Sequence, residues 1–269
     1  MDNLHRRLAP ISSAAWDQID DEARRTFITR IAGRRVVDVP EPGGSALSAV
    51  GTGHVEPIAA PGPSVEARRR QVQPLIELRA PFTVTTAAVD DVERGAQDSD
   101  WQPVKDAVEA LATAEDTLVF AGSEAAGVQG IIASSSNAPI ALPADPRELP
   151  AAVAQALAVL RTVGVQGPYA LLLSTDLYTA ATETVDHGYP VLEHLRRLLG
   201  DDGTIVFAPA LEGAIVLTLR GGDFALTLGQ DVAIGYLSHD ADGIRLYAQE
   251  SVTFSAHTSE ASVILGSRE

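Results

Sequence analysis

Between Gly43 and Arg79 the chain is punctuated by glycine and proline and nearly stripped of large apolar side chains, and this stretch constrains the fold more than any other. Two extended runs, Ala46 to Ala60 and Val65 to Leu78, meet at Pro61-Gly62-Pro63, a turn composition between strands. The pattern predicts a long two-stranded arm. Such an arm has no core of its own, and an isolated two-stranded ribbon is marginal in water. A chain that keeps it needs another surface to lay it on.

The segments around the arm supply a core but not that surface. Ahead of it, Trp16, Ile19, Ala23, Phe27 and Ile31 recur at three- and four-residue spacing behind Ser12 and Ser13, which predicts an amphipathic helix from about Ala14 to Ile31. Gly33 stops it, and Arg34 to Val39 reads as a short extended segment closed by Pro40 and Pro42. Beyond the arm, Val104, Ala107, Val108, Leu111 and Leu118 give a spine-like helix from Pro103 to Phe120, and Pro150 to Val163 a second, alanine-rich one. Leu171 to Leu173 is a buried strand, with helices from Asp176 to Val185 and from Val191 to Leu199. After Thr204 the pattern switches to short strands: Ile205 to Ala208, Ala214 to Arg220, Phe224 to Leu228, Val232 to Ser238, Ile244 to Gln249 and Val252 to Ala256. The fold class is therefore α+β.

At 269 residues with 45% hydrophobic content the chain can bury a sizeable core. Its apolar runs are far shorter than the roughly 20 residues of a membrane helix, and the stretch after Arg7 is too brief for the apolar centre of a secretory signal. An intracellular protein is expected. The absence of cysteine removes disulfides and thiolate metal sites and suits a reducing cytoplasm. A net charge of −16 repels nucleic acid and anionic membrane.

Searching the same residues for chemistry finds little. No two of the six histidines form an HExxH pair, and His187, Glu193 and His194 read as solvated surface rather than a metal site. Ser174, Asp176 and His187 contain the residue types of a hydrolase triad, yet no GxSxG elbow surrounds a serine. Gly122 to Gly130 lacks both the Walker lysine and the GxGxxG spacing. The acid pairs Asp20-Asp21, Asp90-Asp91 and Asp201-Asp202 fall at helix and turn edges, where carboxylates are routinely solvated. No catalytic residue, metal or cofactor is expected.

A set of short runs nevertheless carries a strong likeness in its order and spacing: Asn3-Leu4-His5-Arg6, Leu8-Ala9-Pro10-Ile11, Ala32 to Val39, Ile76-Glu77-Leu78-Arg79, Val92 to Gly95, Gly167 to Leu173, His187-Gly188-Tyr189-Pro190, Leu192 to Leu195, Arg220 to Phe224 and Leu228 to Asp231. In these the chain resembles the encapsulin nanocompartment shell family of type 1, whose members share the capsid fold of the bacteriophage HK97 major capsid protein. The resemblance implies an N-terminal helix and arm over residues 1–42, facing the lumen, and an extension loop (E-loop) over 43–79. It implies a peripheral domain over 80–130 and 223–269 and an axial domain over 131–222. It also implies a self-assembling icosahedral shell, whose closed symmetry needs about sixty copies or a multiple. The missing basic tail, the charge and the N-terminal helix favour such a container over the other function of this fold, a phage major capsid protein packaging DNA.

The same resemblance implies two sites. A cargo enzyme, a dye-decolourising peroxidase or else a ferritin-like protein, would be held by its C-terminal targeting peptide in a lumenal groove formed by Phe27, Ile28, Ile31, Arg34 and Asp38, with Ile244 and Leu246 as further walls. Ile28 lies about 100° round the helix from Phe27, off the Trp16 stripe, so some apolar surface is left over for a peptide. A five-fold pore loop would contain Asp186, His187, Gly188 and Tyr189.

Overall fold

The computed structural model describes residues 3–266. The N-terminal helix spans Ser13–Arg30, with the Ser12 hydroxyl accepting from the Ala15 amide 3.2 Å away. It buries Ala15, Trp16, Ile19, Ala23 and Phe27 on one stripe, against the spine helix Gln102–Phe120. Each large side chain so buried contributes about 1.5–3 kcal/mol. Trp101 ties the pair together by donating from its indole nitrogen to Gln18, 3.0 Å away. After the helix the chain makes a single 3-10 turn, Gly33–Arg35, where an extended segment was expected, and Asp38 then pairs with Ala225.

The arm consists of antiparallel strands Ala49–Ile58 and Ala67–Pro74, with a register shift between Gly51 and Val55. Both strands are largely exposed, and Val55, Ile58, Val65 and Val72 show apolar side chains to solvent. Arg69 lies opposite Glu56 in the register and pairs with it. The returning strand does not run on to Leu78 as one element. After Leu75 it becomes a separate strand, Ile76–Thr85, inside the main sheet. There it runs antiparallel to the long strand Gly243–Ala256, whose other edge pairs with Phe224–Leu228 and Ala233–His239. A helix that periodicity did not announce, Thr86–Glu93, follows directly, capped by the Thr85 hydroxyl.

A second four-stranded sheet orders Ser262–Leu265, Ala214–Thr218, Tyr169–Leu173 and Thr204–Phe207, the last pair parallel and the others antiparallel. The fully buried run Tyr169–Leu173 sits inside it because no polar side chain interrupts the strand. Helices Leu149–Thr162, Thr175–Glu183 and Val191–Leu199 cover this sheet and share its core. Ser174 accepts from the Leu177 amide, so the serine of the hypothetical triad is a helix cap.

Candidate functional site

The end of the N-terminal helix, the turn after it and the loop leading into Ala233–His239 enclose an open groove of about 880 Å³. On its helix side lie Phe27 and Ile28. Phe27 is 6% exposed and lies beneath the Arg34 guanidinium, whose carbon is 4.6 Å from the ring centre. Ile28 is 65% exposed, so this large aliphatic side chain is left in solvent. Asp231, Val232, Ala233 and Ile234 line it from the loop and the strand that follows, and Arg6, Asp17, Asp20, Asp21 and Arg24 add a charged lining. Arg6 is fixed there by Asp20, 2.7 Å away, and by stacking on Trp16 at 3.9 Å.

Arg34 is the most constrained side chain of the wall. Its Nε donates to both carboxylate oxygens of Glu115 at 2.9 and 3.1 Å, and its Nη2 donates to Glu115 at 2.6 Å and to Glu250 at 3.0 Å. Its Nη1 donates to Asp231 at 2.8 Å. Burial opposes the charge on Arg34, but the hydrogen bonds and charges of Glu115 and Asp231 outweigh it and hold the guanidinium above its ordinary value. Next to this cluster Asp116 accepts from the amides of Ala32 and Gly33 at 2.9 and 2.7 Å. Burial pushes the Asp116 carboxyl up to about 7, although those two amides favour its charged form. Burial and the negative charge of Glu115 also push Glu250 well above the usual carboxylate range.

The structure brings Phe27, Ile28 and Arg34 together on the groove and leaves the other four expected residues elsewhere. Ile31, at 5% exposure, continues the buried stripe. Ile244 and Leu246 lie in the core between the sheet and the helices, on a strand that is buried along most of its length. Asp38 lies on a separate cleft, where its carboxylate accepts from the Gly222 amide at 2.6 Å. Arg6, Asp231 and the Val232–Ile234 run were missed. Arg6 and Asp231 stand in runs that carried the family likeness, but no local pattern joins residue 231 to residue 34.

The segment of the expected pore loop is a tight hairpin. Val185–Asp186 pairs with Tyr189–Pro190, and both tip residues have positive φ, 47° at His187 and 85° at Gly188. That is the geometry of a type I′ turn, for which glycine at the second position carries no steric penalty. The His187 side chain is exposed. Behind the tip, His194 Nε2 lies 3.1 Å from the Asp186 carbonyl, and Arg197 stacks over Tyr189 at 5.2 Å. Among the described residues no group of three or more histidines, cysteines and acids is gathered for a metal ion. No helix among them is long and apolar enough to cross a membrane.

Comparison with known proteins adds to this geometry. Residues 1–253 match the family Linocin_M18, described as encapsulating protein for peroxidase. The type 1 encapsulin shell protein of Rhodococcus erythropolis is 57% identical over 265 residues, covering 98% of this chain and 100% of the relative. That of Mycobacterium tuberculosis is 56% identical, covering 98% and 99%. Among solved structures, a virus-like particle from Pyrococcus furiosus superposes with a TM-score of 0.65 at 16% identity, over 93% of this chain and 98% of that one. A Mycobacterium phage Bobi chain superposes with a TM-score of 0.58 at 14% identity, over 89% and 88%. The fold is that of HK97-like capsids.

Proposed function

This chain belongs to the encapsulin shell protein family, and on that premise we propose that about sixty copies, or a multiple, close into an icosahedral container whose cargo docks in the groove beside Ile28. The role is structural, with chemistry left to the enclosed enzyme. The cargo is a peroxidase of the dye-decolourising kind, entering by a C-terminal targeting peptide. The matching family's description supports the peroxidase. We place the assembled nanocompartment in the cytoplasm, with residues 1–42 on its lumenal side and the extension arm clasping a neighbouring subunit. Residues 80–130 and 223–269 form the peripheral domain and 131–222 the axial domain, with the His187-Gly188 tip at the five-fold pore.

One observation carries the docking site. An amphipathic helix that has already buried one stripe still holds Ile28 65% exposed on a groove that Val232 and Ile234 also line. Leaving such a side chain in water costs about 1.5–3 kcal/mol that a small apolar peptide residue can recover. Each groove binds weakly on this scale, and retention comes from many grooves acting on a multimeric cargo. The test is Ile28→Asp, not a change at Ile31, because Ile31 is core. Co-expressed with a peroxidase carrying its tail, the variant is expected to form normal shells that emerge empty. Normal loading would remove this groove from docking.

A further inference from the structure

Arg34 faces three carboxylates, those of Glu115, Glu250 and Asp231, each within 3.0 Å of one of its nitrogens. Two of the three, Glu115 and Glu250, are 0% exposed, whereas Asp231 is half in solvent. One partly buried cation cannot neutralise two fully buried anions. Asp116, one residue along the spine helix, adds a further buried carboxyl facing the same turn. The second oxygen of Glu250, Oε1, is buried and receives no donor hydrogen, and the Glu250 carboxyl is in hydrogen-bond contact with that of Glu115, which only a shared proton can bridge. A buried carboxylate oxygen without a donor is costly when ionised, and a proton on it removes that cost.

Among the described residues no other cation pairs with the cluster. On the neighbouring strand Glu250 lies opposite Leu78. Alternation therefore sends the flanking Glu77 and Arg79 to the other face, where Arg79 pairs with Glu77 and Gln249. From the loop side come Asp231 and the uncharged Gln230, whose amide is taken by Ser251. From the described part of the N-terminal segment Arg34 alone pairs with it.

We propose that Glu250 and Asp116 form a protonation-controlled joint between the turn Gly33–Arg35 and the spine helix, closed when they carry protons and loosened when both ionise. Both groups hold their protons more tightly in the closed joint than an exposed carboxyl does, burial outweighing the Ala32 and Gly33 amides that favour ionised Asp116. A closed-state value raised above the open-state value contributes stability that is complete below the open-state value and is lost as pH rises through the closed-state one. For Asp116 the window runs from 3.8 to about 7, and Glu250 acts in the same direction from 4.5 upward. The joint is thus tighter in mildly acidic than in mildly alkaline solution. Since Arg34 and Phe27 stand on its outer side, the shape of the groove wall follows the same variable.

The experiment is hydrogen exchange followed by mass spectrometry on assembled shells, read on peptides spanning residues 27–36. Protection, corrected for intrinsic exchange, is compared at about pH 5 and about pH 8. At least a ten-fold greater protection is expected at the lower pH, which is a 1.4 kcal/mol difference in opening. The double variant Asp116→Asn/Glu250→Gln should reduce the pH difference to less than about two-fold. Equal protection at both pH values in the native shell would overturn the joint, as would a double variant that keeps the native difference. Should the double variant not assemble, each single variant is expected to lose part of the difference, and two singles that both keep all of it would equally overturn the proposal. Cargo loading does not enter the readout, so the joint stands or falls apart from the docking site.

Discussion

The Asp116 carboxylate lies 2.7 Å from the backbone nitrogen of Gly33, a side chain of one helix capping the turn that ends another, 83 residues away in sequence. The approach requires that residue 33 have no side chain. A Cβ there would stand 3.0 Å from Asp116 Oδ1 and 3.3 Å from Val119 Cγ2, both anchored on the buried face of the spine helix. Gly33→Ala is therefore expected to cost about 1–3 kcal/mol through crowding and a lengthened amide–carboxylate bond. Thermal unfolding of purified shells reads this directly, and an unchanged midpoint would refute it.

Removing the Arg34 guanidinium should be worse than removing its partner as well. Arg34→Met leaves Glu115 buried without a counter-charge, a loss of about 3–5 kcal/mol for a broken buried pair. Adding Glu115→Gln to the same chain is expected to restore most of the shell yield. A double variant no better than Arg34→Met would mean that the cost does not come from the charge of Glu115 but from packing or from Glu250, which also loses its partner.

The arm should matter to assembly and not to the subunit's own core. Val55 and Val72 are 51% and 56% exposed, so charging both leaves the subunit interior untouched. Val55→Asp/Val72→Asp is expected to give a folded chain, by circular dichroism, that elutes as small species in place of closed particles. Intact particles would show that the apolar face of the arm is not what the neighbour covers.

Deleting His187 and Gly188 removes the tip of the Val185–Pro190 hairpin without touching the buried residues of the flanking helices. Shells should still close, and an enclosed enzyme should turn over bulky substrates faster while small ones are unaffected. Unchanged rates for bulky substrates would place the entry route elsewhere.

Where structure depends on neighbours in sequence, the residues announce it. The stripe Trp16, Ile19, Ala23, Phe27, Ile31 gives the N-terminal helix to within a residue at each end, and it also places Ile31 in the core with the others. The groove is different in kind. Arg34 meets Glu115, Asp231 and Glu250 across separations of 81, 197 and 216 residues, and nothing periodic links them. Asp38 was sent to the groove by likeness alone, whereas its carboxylate is drawn to the open amide of the Gly221-Gly222 turn. The helix Thr86–Glu93 went unread because two turns offer too few apolar repeats to establish a period.

The way the arm joins the body has a mechanical consequence. Its returning strand passes through Leu75 into Ile76–Thr85, which is held along its whole length, from Val252↔Ile76 to Gly243↔Thr85. Hydrogen bonds between antiparallel strands lie across the strand direction. A tug along the arm therefore meets all ten of these pairings at once, in shear, instead of peeling them apart one by one. Tension borne by the arm passes straight into the long strand Gly243–Ala256 and so to the centre of the sheet. An expanding load on a closed wall would be shared between subunits as along a hoop, with the lateral edges of the arm, not its root, as the first place to yield.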